Sequence, residues 1–82
     1  MVAVAYSVSF ERTIKKIRDA GTKQRVKQQI IRIVKNPEIG KPMRYARKNT
    51  REVYVPPFRL SYCYNADLDL ILFLDLYHKD EQ

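Results

Sequence analysis

The stretch YVPPFRLSY, residues 54–62, sets a guanidinium, Arg59, two places beyond a proline pair in a segment otherwise suited to a β-strand. A guanidinium is permanently charged and can donate two parallel hydrogen bonds, a geometry that suits phosphate or carboxylate. The sole histidine, His78, lies where the last apolar segment ends, and an imidazole can exchange a proton near neutral pH. Arg47, Lys48, Arg51 and Lys79 add cations able to meet phosphates, and Tyr54 and Tyr77 add aromatic faces on which an unpaired base can stack. The chemistry within reach is recognition of a phosphate chain, with one group able to move a proton. Against this stand plainer readings. Arg59 can form an ion pair with Glu52 or Asp75 on a neighbouring strand, and each other cation can be a solvated surface charge.

The charge distribution points the same way. Residues 1–60 hold 15 basic and 4 acidic side chains, whereas residues 61–82 hold 1 basic and 5 acidic. Such segregation implies a polyanion or an acidic partner. At 82 residues the chain is expected to form one domain, 1–82, around a single core. Cys63 is the only cysteine, so no intramolecular disulfide can form, and no Cys or His cluster has metal-ligand spacing. Neither a metal nor another cofactor is expected, and a reducing, cytoplasmic setting is. The apolar run Leu70–Leu74 is far shorter than the roughly 20 residues of a membrane-spanning helix, and no export signal is read at the N-terminus.

The elements that must hold these residues follow from periodicity. Residues 2–8 alternate β-branched or aromatic with small residues and read as a strand. Ser9 is the expected N-cap of a helix over 10–20, with Phe10, Ile14 and Ile17 as its buried stripe and Gly21 beyond its end. Thr22 is the expected cap of a second helix that carries Val26, Ile30, Ile33 and Val34 inward and stops at Asn36-Pro37. With so short a connection the two helices must form a hairpin, basic on its outer surface. Residues 37–50 read as a basic loop. Strands follow at about 51–55, 58–65 and 70–77, separated by Pro56-Pro57 and by ADLD, both short enough to require antiparallel hairpins. The expected fold is α+β, βααβββ, an antiparallel sheet with an N-terminal helical hairpin on one face. In the strand over 58–65, Phe58, Leu60, Tyr62 and Tyr64 turn to the helices and Arg59, Ser61 and Cys63 to the other face.

This order of elements, with Phe58-Arg59-Leu60-Ser61-Tyr62 and an apolar last strand ending in His78-Lys79, resembles the RelE/ParE toxin superfamily of type II toxin-antitoxin systems. The resemblance spans nearly the whole chain. It implies a RelE-like fold, a cognate antitoxin that wraps the domain, and one of two activities. RelE-like toxins are endoribonucleases that cut messenger RNA on the ribosome and inhibit translation, by attack of a ribose 2′-OH on the scissile phosphate without a metal. ParE-like toxins poison DNA gyrase and cut nothing; a relative that only binds is a third possibility. For the enzyme, the resemblance makes Arg59 the stabiliser of the transition state and His78 the proton-transfer group, with Arg51, Lys79, Tyr77, Tyr54, Arg47 and Lys48 contacting RNA. Asp80 stands where the best-known RelE enzyme has an arginine, and that enzyme's terminal tyrosine has no counterpart before Gln82, so its complete residue set is not expected here.

Overall fold

The computed structural model describes residues 2–43 and 49–78. Its elements run β1 (Ala3–Tyr6), α1 (Val8–Lys16), α2 (Ala20–Lys35), β2 (Lys41–Pro42), β3 (Thr50–Val55), β4 (Phe58–Asn65) and β5 (Leu70–His78). The sheet order is β1-β5-β4-β3-β2. The α+β class and the helical hairpin are as expected. Two details differ: β1 lies parallel to β5, making the sheet mixed, and Lys41–Pro42 of the expected loop pairs with β3 as a fifth strand. A strand that must be followed by two helices before its sheet resumes has no hairpin to force it antiparallel, so the crossover sets its direction.

Both helices start earlier than the sequence suggests. Ser7, not Ser9, caps α1, its hydroxyl accepting from the Phe10 amide at 3.0 Å while donating to the Leu74 carbonyl. Asp19, not Thr22, caps α2. Its carboxylate accepts from the Thr22 amide at 3.0 Å and from the Thr22 hydroxyl at 2.6 Å, and these bonds hold the Asp19 carboxyl below its ordinary 3.8. Gly21 therefore sits inside α2 rather than at the end of α1, and Ile17-Arg18-Asp19 is the connection. The second helix does stop before Pro37, as expected.

Phe10, Ile17, Val26 and Ile33 from the helical layer meet Val55, Leu60, Tyr62, Ile71, Phe73 and Leu76 of the sheet in one core. Tyr6, Phe10 and Phe73 stack across β1, α1 and β5 with centroids 5.4–5.7 Å apart. Pro56 and Pro57 form the two-residue corner of the β3–β4 hairpin, closing on the pair Val55 and Phe58. The missing amides fall where the ladder needs none.

One irregularity decides the far end of the sheet. Along β4 and β5, Ser61 faces Asp75 but Tyr62 faces Phe73, so Leu74 is an extra, unpaired residue. A bulge of one residue reverses which side chains face the core. Before it Ile71 and Phe73 are buried; after it Leu76 is. Asp75 and Tyr77 consequently share the face of Arg59 and Ser61, while His78 shares that of Phe58 and Leu60.

Candidate active site

The face of the sheet turned away from the core collects polar groups at its β2–β3–β4–β5 end. Because directly paired residues project to the same side, the register aligns Tyr54, Arg59 and Tyr77 in one row and Lys41, Glu52, Ser61 and Asp75 in the next. The two rows are joined through Glu52. Arg59 Nη1 donates to Glu52 Oε1 at 2.7 Å, and the Tyr77 hydroxyl donates to Glu52 Oε2 at 2.9 Å. A cation, a carboxylate and a phenol thus form one connected group on three adjacent strands.

Arg59 is neither sunk under the helices nor fully in solvent. Its side chain is 34% exposed and that of Glu52 16%. The ion pair uses one nitrogen of the guanidinium, and Arg59 Nε is enclosed without an acceptor among the described residues. The fork that makes arginine suited to a two-oxygen anion is not spent on Glu52, so a phosphate can compete for it. Of the two plain readings for Arg59, the pairing with Glu52 is the one present. Asp75 instead accepts from its neighbour's amide, Leu76 N, at 2.8 Å and from the Ser9 hydroxyl at 3.3 Å.

The other expected site residues separate into three groups. Tyr54 and Tyr77 flank Arg59, Tyr54 with 51% of its surface exposed. His78 and Arg51 lie on the opposite side of the sheet from Arg59. The His78 ring meets Phe58 edge-on at 5.9 Å, and Arg51 Nη1 donates to the carbonyls of Glu38 at 3.1 Å and Gly40 at 2.8 Å. Arg51 works there with Tyr62, whose buried hydroxyl accepts from Gly40 N and donates to the Pro37 carbonyl, together clamping the turn after α2. Burial raises the Tyr62 phenol above its ordinary 10.0. A Cβ at position 40 would come within 2.6 Å of the Tyr62 hydroxyl, so only glycine fits the clamp. Arg47, Lys48 and Lys79 lie outside the described residues.

Glu52 is the group that sequence reasoning did not place in the site, weighing it only as an ion-pair partner. A signal existed: a two-residue corner at Pro56-Pro57 pairs Val55 with Phe58 and therefore Tyr54 with Arg59, which puts Glu52, two residues back from Tyr54, on the same face. Tyr77 had no such signal, because the Leu74 bulge precedes it.

The helical layer differs in charge. Arg12, Lys15, Lys16, Arg18, Lys23, Arg25, Lys27, Arg32 and Lys35 are all exposed there, against Glu11 and Asp19. The face of Arg59 is balanced among the described residues, Lys41 and Arg59 against Glu52 and Asp75. Between α1 and α2 runs a groove of about 540 Å³ whose walls include Ile14, Val26, Ile30 and Ile31 and whose rim includes Lys15 and Lys27.

Comparison with known proteins agrees with this architecture. The fold is that of the isolated E. coli RelE toxin (TM-score 0.83, 8% identity, covering 100% of this chain and 88% of that one). It is equally that of the E. coli RelBE toxin-antitoxin complex (TM-score 0.82, 11% identity, 100% of both chains). The YoeB/ParE toxin from Agrobacterium tumefaciens also matches (TM-score 0.82, 11% identity, 94% and 98% covered). No curated protein sequence matches. At these identities the structures establish the fold, and the sequence establishes the family: residues 4–82 match the ParE toxin of type II toxin-antitoxin systems, parDE, and the chain belongs to that family.

Proposed function

We propose that the chain is a toxin that halts translation by cutting messenger RNA on the ribosome, with Arg59, Glu52 and Tyr77 as its reactive group. The observation that carries this reading is the hydrogen-bonded union of a fixed cation, a carboxylate and a phenol on the face opposite the helices. Cleavage begins as the ribose 2′-oxygen attacks the adjacent phosphorus and Glu52 takes the 2′-hydroxyl proton; a carboxylate with both oxygens engaged still has lone pairs available. Arg59 stabilises the charge that builds on the non-bridging phosphate oxygens. Tyr77 protonates the departing 5′-oxygen as its bond to phosphorus breaks. The products are a 2′,3′-cyclic phosphate and a 5′-hydroxyl, and the proton held by Glu52 returns to Tyr77 through the bond already joining them.

The partners in this reading are the ribosome, its message and an antitoxin. RelE chains of this fold are found in complex with RelB. The apolar groove between α1 and α2, rimmed by lysines, suits the amphipathic and partly acidic segment of such a protein. A second reading, gyrase poisoning without cleavage, is supported by the ParE family match and by the carboxylate that neutralises Arg59.

Ribosomes programmed with a defined message separate the two, with new 5′ ends mapped after toxin is added. Wild type is expected to cut within the decoding site, Arg59→Ala to lose roughly 100-fold or more of that rate with an unchanged circular dichroism spectrum, and His78→Ala to cut at the same positions. An intact message with wild type, combined with inhibition of gyrase supercoiling, transfers the protein to the second reading.

A further inference from the structure

The row Lys41–Glu52–Ser61–Asp75 holds one cation that the proposed reaction leaves unused. Lys41 is exposed, lies directly opposite Glu52 on β2 and makes no ion pair among the described residues. Its backbone is fixed on both sides. Gly40, just before it, donates to the buried Tyr62 hydroxyl at 2.9 Å and accepts from Arg51 at 2.8 Å, and Met43 donates to the Thr50 carbonyl at 3.0 Å. We infer that Lys41 is a positioning residue: it replaces Arg59 as the cation facing Glu52 when Arg59 turns to the phosphate, and so keeps the carboxylate ionised for its part as base. The inference rests on the reading of this face as a ribonuclease site and adds to it the group that sets its working pH range.

Arg59 cannot hold Glu52 and a phosphate equally. In the free protein Arg59 Nη1 donates to Oε1 and the Tyr77 hydroxyl to Oε2. A phosphate that draws the guanidinium away brings its own negative charge beside Glu52, and Asp75 is a further carboxylate in the same row. An acid left among like charges keeps its proton to higher pH, and a protonated Glu52 cannot accept another from the ribose. The charged and titratable groups facing Glu52 are Lys41 from β2, Arg59 from β4, and Asp75 and Tyr77 from β5, with Tyr54 beside it on β3. Once Arg59 is committed to phosphate, Lys41 is the cation that remains among them. Directly paired residues have Cβ atoms about 4.5–5.5 Å apart, and the flexible aliphatic stem of lysine lets its ammonium swing onto the carboxylate.

The test is the pH dependence of single-turnover cutting by ribosome-bound toxin, with binding measured alongside on a message whose scissile position carries a 2′-deoxynucleotide and cannot be cut. Lys41→Met removes the charge and keeps the stem. It is expected to move the acid limb of the rate profile up by about 1 pH unit, so that the rate falls about 10-fold below that limb and holds the wild-type value above it. Binding is expected to change by less than about 2-fold. Lys41→Arg, which keeps the charge, is expected to restore the wild-type limb. In a Glu52→Gln background Lys41→Met is expected to leave the residual rate within about 2-fold, because the group it acts through has no charge to hold. An unmoved limb in Lys41→Met, or a loss that persists undiminished in the Glu52→Gln background, overturns the inference while cutting by wild type keeps the nuclease reading in place. Weaker binding at every pH with an unmoved limb overturns it too and makes Lys41 a phosphate contact. A message left uncut by wild type at every pH removes the nuclease reading, and the inference with it.

Discussion

Glu52 accepts hydrogen bonds on both oxygens, from a cation on one side and a phenol on the other. These two bonds oppose each other in function. As the partner of Arg59 it competes with any phosphate for the guanidinium, and in the proposed mechanism it is the carboxylate that takes the 2′-hydroxyl proton. Replacing it by glutamine removes the negative charge and the basicity together while keeping the shape, so binding and rate move in opposite directions. Glu52→Gln is expected to bind a non-cleavable oligonucleotide on the ribosome more tightly than wild type and to cleave about 10²- to 10⁴-fold more slowly. Fluorescence anisotropy and single-turnover cleavage measure the two quantities separately. A rate equal to wild type removes the base from the mechanism; weaker binding shows that Glu52 orders Arg59 more than it screens it.

At the level of elements, the junction of β1, α1 and β5 governs what reaches the site. Ser7 caps α1 and also holds the Leu74 carbonyl at the bulge, so one hydroxyl joins the helix start to the point where β5 changes phase. Ser7→Ala is expected to lower stability by about 1–2 kcal/mol, the cost of a lost cap together with a half-buried carbonyl left without its partner. Ser9→Ala, an exposed position, is expected to stay within about 0.5 kcal/mol. Urea unfolding of the two variants decides between them, and equal losses would contradict the assignment of Ser7 as the cap. The same junction marks the boundary of what the sequence discloses. Alternation in residues 2–8, the apolar stripes of two basic helices and the proline corner made the fold readable and put Arg59 opposite the helices. Ser7 and Ser9 offer identical cap chemistry two residues apart, and β-branched Val8 favours the later start until tertiary contacts choose the earlier one. Leu70–Leu74 is apolar at every position, so no alternation reveals the extra residue. A regular strand would have turned His78 toward Arg59 and Tyr77 inward; the bulge exchanges them, and with them the group that stands beside the guanidinium.

Across the whole molecule the Arg59–Glu52–Tyr77 cluster and the positive charge occupy opposite faces. Nine exposed basic side chains cover the helical layer, while the described charges around Arg59 cancel in sign. Under the proposed function, long-range attraction to a polyanion would therefore act on the helical face, and the Arg59 face would contribute short-range contacts to a substrate already held. The proposed decoding-site target would meet both requirements, with ribosomal RNA against the helices and message against the sheet. Each neutralised phosphate releases counterions, so the logarithm of affinity falls with the logarithm of salt at about 0.7–0.9 per contact, the lower value for single strands. Replacing Lys23 and Lys27 by glutamine is then expected to weaken ribosome association, to reduce its salt slope by about 1 to 2, and to leave the single-turnover cutting rate of bound message at the wild-type value. Sedimentation with ribosomes over a potassium chloride series gives the slope, and quench-flow gives the rate. An unchanged slope would place the electrostatic contact elsewhere on the chain, and a reduced rate at saturation would mean that the helical face orients the reactive group as well as anchoring it.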